Sequence, residues 1–254
     1  TVLIGTIFYH GQSILTNEHS GTFDRQKAEQ IIVEQDQFSE KTGNPCMVDI
    51  VGVNPDAVRN ELSFVADVTD APLLLDSPSA EARLAGLRYA REVGLMERTV
   101  YNSLAPEATP SELAEIAGSG IKNAVLLACN FKDFTPEGRV KTARALLSTA
   151  NQCGIINPLV DMCVIDVPTL GIASKAIFEI KNELGVPVGA GTHNAIGTWR
   201  GLRSKMGRQA IMPCTAAAAV LAIAAGADFV LYGPIEDARY VFPAAAMVNA
   251  AYGQ

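Results

Sequence analysis

The sequence lacks most of the short motifs that announce a chemistry. It has no CxxC, no HxH, no HExxH and no GxGxxG after its first apolar run. The three histidines, His10, His19 and His193, do not sit at metal-ligand spacing, which speaks against a metal hydrolase and leaves no metal site to predict. The cysteines, Cys46, Cys129, Cys153, Cys163 and Cys214, are odd in number and unpaired in spacing. They read as reduced, mostly buried thiols rather than a disulfide framework or a zinc knuckle. Basic charge is also short: 20 Lys and Arg stand against 27 Asp and Glu, a formal net charge of -7. That balance argues against a nucleic-acid partner. The longest apolar block, residues 215–227, is too short and alanine-rich to span a bilayer, so no transmembrane segment and a cytoplasmic location are expected. The chain opens on Thr1 in a strand-like run, and a segment preceding it is expected.

What is present is a repeated sentence: an apolar run, then Asp or Asn, then a helical pattern. The runs are Val2–Ile7, Met47–Val51, Pro72–Asp76, Thr99–Asn102, Ala124–Ala128, Pro158–Asp161, the stretch from Val186 and Phe229–Tyr232. They are continuous, as strands of a parallel sheet buried on both faces must be. Between them lie helical spacings with start and stop signals. Asp24 opens one helix and Gly43 ends it. Pro55, Ser79, Ser111 and Thr135 open others, and Thr169–Leu184 is another. Residues 201–206 and 215–225 read as helical, and Ile235 to Ala251 reads as a final helix that Pro243 kinks or breaks. Eight strands alternating with helices, without a linker, predict a (β/α)8 TIM barrel over residues 1–254 as one domain. The open doubly wound sheet is the alternative, weakened by the missing glycine fingerprint.

Barrel enzymes carry their chemistry at the C-terminal ends of the strands. Asp49, Asp76, Asn102, Asn130, Asp161 and Asn194 lie at or near those ends. Asp49 is the loosest member, because Ile50 and Val51 follow it in the same run. Each residue alone is an ordinary turn former or helix cap. Six facing one mouth suit a neutral heterocycle rich in N–H donors and acceptors, since carboxylates accept paired hydrogen bonds and amides both donate and accept. The pivotal stretch is VPVGAGTHNAIGTW. Gly189 and Gly191 let the backbone come close to a flat ligand, and His193 and Asn194 stand at the rim. His193 reads as a hydrogen-bonding wall, and Trp199 as packing. No lysine ends the sixth strand, so Schiff-base chemistry is not expected. The turn Tyr232-Gly233-Pro234-Ile235-Glu236 is acidic and unlike a phosphate cradle.

Several stretches carry a wider resemblance: TVLIGTIFY, EKTGNP, FVADVTDAP, LLDSPSAEARLAG, VYNSL, FTPEGR, VDMCVIDVPTLGIASKAI and GTHNAIGTW. Together they span nearly the whole chain. They resemble the family of the H subunit of tetrahydromethanopterin S-methyltransferase and its relatives, the methylcorrinoid:tetrahydrofolate methyltransferases. The resemblance implies a pterin-binding barrel that moves a methyl group between a methylcorrinoid (methylcobalamin, or a corrinoid protein as partner) and N5 of a reduced pterin. By motif order it puts Asp76, Asn102 and Asp161 on the pterin, with Asp49 and Asn130 matching less clearly, and Asn194 at N5. It implies a homodimer. THNAIGTW leans toward tetrahydrofolate, with tetrahydromethanopterin as the alternative. No corrinoid-binding DxHxxG is present, so the corrinoid is expected on a separate protein. Two other readings stay open. One is a dihydropteroate synthase, whose diphosphate site Arg200, Arg203 and Arg208 could serve. The other is a non-catalytic barrel that only docks a corrinoid protein.

Overall fold

A computed structural model describes residues 1–253 of the chain. The strands are β1 (Val2–Ile7), β2 (Leu15–Asn17), β3 (Thr22–Phe23), β4 (Cys46–Val51), β5 (Leu73–Asp76), β6 (Thr99–Leu104), β7 (Asn123–Leu127), β8 (Asn157–Asp161), β9 (Val188–Gly191) and β10 (Phe229–Pro234). The predicted barrel is present. Strands β1, β4, β5, β6, β7, β8, β9 and β10 pair side by side, all parallel, and β10 pairs back to β1. The remaining pair, β2 and β3, is a small antiparallel hairpin after β1, where the sequence suggested only a polar loop.

Helices α1 (Arg25–Thr42), α2 (Pro55–Val68), α3 (Ala80–Glu92), α4 (Pro110–Ser119), α5 (Pro136–Gln152), α6 (Val167–Glu183), α7 (His193–Gly197), α8 (Ile211–Ala224) and α9 (Ala238–Tyr252) fill the connections. Local chemistry fixes their ends. Asp24 accepts from the Lys27 N–H, and Gly43 closes α1 in the left-handed region at φ 70°. Asp166 and Thr169 form a reciprocal capping box that opens α6 two residues before the predicted start. Thr109, not Ser111, caps α4, because its hydroxyl reaches the Glu112 N–H. Pro243 lies inside α9 without ending it. No helix among the described residues is long and apolar enough to cross a membrane.

Period-two alternation sorts the strand residues into two cores. One set faces the helices. The other fills the barrel: Ile4, Leu74, Val100, Val125, Phe229 and Leu231 form a closed apolar plug, with Met47 and Leu159 packed against it. One inward step further along each strand, toward the C-terminal end, the plug gives way to polar residues. Ile4 is followed by Thr6, Met47 by Asp49, Leu74 by Asp76, Val100 by Asn102 and Leu159 by Asp161. The plug is the floor of the site, and this alternation is what aims the polar groups into one space.

Gly189 belongs to the plug and not to a ligand surface, contrary to the expectation from sequence. A Cβ there would fall 2.1 Å from the Phe229 carbonyl oxygen and 2.7 Å from its ring. The glycine is there because β10 and the Phe229 ring occupy that volume. Gly191, one inward step above, has ordinary room. A Cβ would lie 3.4 Å from Asn194 Nδ2 and 3.6 Å from the His193 ring.

Candidate active site

Asp49 is the hub of the polar layer. Thr6 Oγ1 donates to its Oδ2 and Asn102 Nδ2 donates to its Oδ1, each at 3.0 Å. Asp49 stands on β4 and Asn102 on β6, with β5 between them, so the second bond crosses the barrel interior. Asp49 is 2% exposed, Asn102 8% and Asp161 7%. Asp76 is half-buried and lies level with Asn102 in the strand register. Asp161 accepts from the Cys163 N–H at 2.6 Å, which ties the β8 loop to the carboxylate.

Three carboxylates thus share one buried space, and their ionisation is costly. Burial pushes Asp161 up to about 6, against the pull of the Cys163 N–H and the Arg139 charge. Burial likewise pushes Asp76 up to about 6, against the Arg83 charge and the Ser77 N–H. Asp49 is raised well above the usual carboxylate range, by burial first and then by the negative charge of Asp76. Arg83 does not neutralise the group by contact. Its guanidinium is spent on the Ser77 carbonyl, the Tyr101 hydroxyl and Glu112 Oε1. Among the described residues, no group of three or more His, Cys, Asp or Glu side chains is placed to hold a metal ion. The cluster presents acceptors, plus one amide, to a ligand that must bring several N–H donors.

The remaining predicted residues divide. Asn130 does not join the cluster: it lies in the loop after β7, and its Oδ1 accepts from the Lys132 N–H. The inward residue at the end of β7 is Leu127. Asn194 opens the short helix α7 immediately after β9. It is exposed, and only its carbonyl is used within the chain, by the Thr198 N–H and Oγ1. His193 Nδ1 donates to the Leu231 carbonyl at 3.1 Å, so Nε2 carries no proton in the neutral ring. Burial holds its pKa below the usual histidine value. Sequence reading missed Thr6, although the alternation Val2, Ile4, Thr6 points it inward with the others.

Beside the cluster lies a cavity of about 730 Å³. It reaches from Thr6 and His193 to the loops that follow β9 and β10. Trp199, read from sequence as packing, is 37% exposed and lines this cavity.

The closed parallel barrel is shared architecture with known enzymes. The dihydropteroate synthase of Yersinia pestis superposes with a TM-score of 0.67 at 15% identity, covering 99% of this chain and 93% of that one. The 7,8-dihydropteroate synthase of Vibrio fischeri gives 0.67 at 14%, covering 99% and 93%. The class is therefore the closed (β/α)8 barrel. Within it the family is specific: the family described as tetrahydromethanopterin S-methyltransferase MtrH subunit matches residues 1–254. The H subunit of tetrahydromethanopterin S-methyltransferase from Methanothermobacter marburgensis is 42% identical over 260 residues, covering 98% of this chain and 84% of that protein. Its counterparts from Methanopyrus kandleri and Methanocaldococcus jannaschii are each 37% identical, with 98% of this chain covered in both cases. The chain belongs to this methyltransferase family.

Proposed function

We propose that the protein transfers a methyl group between a methylcorrinoid, carried by a partner protein, and N5 of a reduced pterin. The observation that carries this reading is the buried acceptor cluster centred on Asp49, on a chain of the methyltransferase family. The 2-amino-4-oxo edge of a pterin offers adjacent N–H donors, and Asp49, Asp76 and Asp161 offer the remaining lone pairs of their carboxylate oxygens as acceptors. Asn102 is fixed by its bond to Asp49 and presents the rest of its amide. Its role is to orient the ring. Asn194 stands at the rim with a free amide, where it meets N5.

The methylcorrinoid supplies an electrophilic methyl group, and the cobalt–carbon electron pair stays with the metal. The chain's part is to hold N5 in line with that methyl group and to manage one proton. As N5 forms its bond to carbon, it gives up its proton to solvent at the exposed rim where Asn194 stands. In the reverse direction it needs one to leave. Asn194 hydrogen-bonds N5 in both states by rotating its amide. Exposed apolar side chains on the segments around the mouth, such as Phe131, Ile165 and Met206, favour a protein partner approaching from above.

The sequence motif leaned toward tetrahydrofolate. The names of the relatives favour tetrahydromethanopterin, and we adopt it as the pterin. The deciding experiment mixes the protein anaerobically with methylcobalamin and each pterin in turn while the cobalamin spectrum is followed. Demethylation is expected to depend on both protein and pterin, and to be faster with tetrahydromethanopterin. If neither pterin binds and neither supports demethylation, even with a methylated corrinoid protein, the reading fails and the docking-only barrel takes its place.

The carboxylates also set a pH dependence. Asp76 and Asp161 accept two N–H donors well only when ionised, and each changes protonation near about 6. Pterin affinity measured by titration should be flat from pH 7 to 8. Below 6 it should weaken by about tenfold per pH unit for each carboxylate that must ionise. An affinity indifferent to pH between 5 and 7 would remove these two residues from the binding surface.

A further inference from the structure

We infer that Cys129 and Cys163 form a redox-active dithiol beside the acceptor cluster, in which a hydroperoxide closes a Cys129–Cys163 disulfide. The methyl transfer proposed above needs neither thiol. Leu127 on β7 pairs with Asp161 on β8, and the Ala128 N–H donates to the Asp161 carbonyl at 2.8 Å. Cys129 and Cys163 each stand two residues beyond that pair, at the same level on neighbouring strands. Strands of a sheet lie about 4.8 Å apart, within the Cα separation of about 4.4–6.8 Å that a disulfide spans. Both residues are 5% exposed, and their thiols are hydrogen-bonded to each other. The other buried thiol points elsewhere, as Cys153 Sγ donates to the Leu113 carbonyl.

A buried cation prepares one of the two sulfurs. Arg139, near the start of α5, is 1% exposed and belongs to no ion pair among the described residues. Its Nη1 donates to the Cys163 carbonyl and its Nε to the Phe134 carbonyl, while Nη2 is buried without a partner. A buried guanidinium is costly unless an anion stands near it. Asp161 is one such anion, and a Cys129 thiolate is the second. The hydrogen bond from Cys163 lowers the Cys129 pKa; burial opposes this, and the Arg139 charge adds to it. The same bond raises Cys163, as do burial and the Asp161 charge. Cys129 is therefore the attacking sulfur and Cys163 the thiol that keeps its proton. The Cys129 thiolate attacks one peroxide oxygen and the O–O bond breaks. The departing hydroxide takes up the proton that Cys129 had released, giving water. The Cys163 sulfur then attacks the Cys129 sulfenic acid and the S–O bond breaks. That hydroxide leaves with the Cys163 proton as a second water, and two electrons have passed from the sulfurs to the peroxide.

The new bond would be felt at Asp161. Cys163 lies at φ 52°, in the left-handed region, with its N–H on Asp161 Oδ1 and its carbonyl on Arg139. Drawing its side chain onto Cys129 shifts that backbone and takes the N–H from the carboxylate. This consequence rests on the pterin reading above; the disulfide itself does not.

The test treats the reduced protein with one equivalent of hydrogen peroxide, quenches it in denaturant with an alkylating reagent, and maps the peptides. Two of the five thiols should be lost, joined as Cys129–Cys163 within one chain and recovered with dithiothreitol. Cys163→Ser should form no disulfide and should carry a dimedone-trapped sulfenic acid on Cys129. Cys129→Ser should form neither product. Tetrahydromethanopterin should bind the oxidised protein about tenfold more weakly than the reduced protein, and peroxide should not change its affinity for Cys129→Ser. Five thiols surviving the treatment, or a disulfide between other cysteines or between chains, overturns the inference. A mapped Cys129–Cys163 bond with unchanged pterin affinity overturns its reach to Asp161. A reduced protein that binds no pterin strikes the pterin reading instead, and the thiol mapping is decided without it.

Discussion

Asn194→Ala should cut the methyl-transfer rate by about 100-fold while changing pterin affinity by no more than about threefold. The asymmetry follows from where the residue sits. The pterin edge is to be held by Asp49, Asp76, Asn102 and Asp161, all on the barrel strands and all within one layer. Asn194 is outside that layer, on the first turn of α7, with its side chain free and exposed. Truncating it opens no cavity and orphans no partner, so stability should shift by less than about 0.5 kcal/mol. What it removes is the hydrogen bond to N5, which matters most as the proton state of N5 changes. A single positioned donor to a reacting atom is worth about 10²–10³ in rate. The readouts are single-turnover rate, pterin affinity and thermal midpoint on the same variant. Equal loss of rate and affinity would make Asn194 an ordinary binding residue, and the proton management would have to be sought elsewhere, with His193 as the next candidate.

The barrel was legible because each strand is a short apolar run closed by punctuation, and parallel strands buried on both faces leave that trace. Six of the candidate residues could be named for the same reason, as each stands at or near the end of a run. Strand ends are a coarser guide than strand parity, however. Asp49 looked peripheral because two apolar residues follow it, yet Ile50 faces the helices and Asp49 faces the barrel. Parity counted from Met47 makes it the hub, and counted from Ile4 it finds Thr6. The same rule excludes Asn130, which lies past the last inward residue of β7 and spends its oxygen on its own loop. Gly189 misled for a different reason. A glycine in a strand signals that something comes close, but not whether it is a ligand or, as here, the Phe229 ring and the β10 backbone.

The cavity left less trace in the sequence. Its walls come from β1, the segment around α7, the start of α8 and the turn after β10, which are distant in the chain and brought together only by barrel closure. The turn at Glu236 reads as acidic in the sequence, which excluded a phosphate cradle. That it stands across a cavity from two exposed arginines is a property of the closed ring. Helix α7 was hidden by its brevity: five residues after a glycine-rich strand carry no periodicity that separates a helix from a turn.

Glu61→Gln should leave stability nearly unchanged at pH 5 and raise it by roughly 3 kcal/mol at pH 7. Glu61 lies on α2 among Val58, Leu62 and Val65, on the face that packs toward the barrel. It is 1% exposed, and its Oε2 is buried without a partner. It abuts the end of β4, where a Cβ on Gly52 would come within 3.0 Å of that oxygen. Burial alone pushes its pKa up to about 9. The folded protein therefore keeps a proton that the unfolded chain gives up near the ordinary carboxylate value. Between those two values the folded state binds more protons, so its stability falls as pH rises, by about 1.4 kcal/mol per unit. Glutamine mimics the protonated form at every pH and abolishes that slope. The site carboxylates Asp49, Asp76 and Asp161 are also raised and add a slope of the same sign. They are present in both proteins and cancel in the difference. Urea unfolding of the two proteins at pH 5, 7 and 8.5 reads the effect directly. A stability difference that does not grow with pH would mean that Glu61 ionises in the folded state, adding a fourth negative charge behind the strand that carries Asp49.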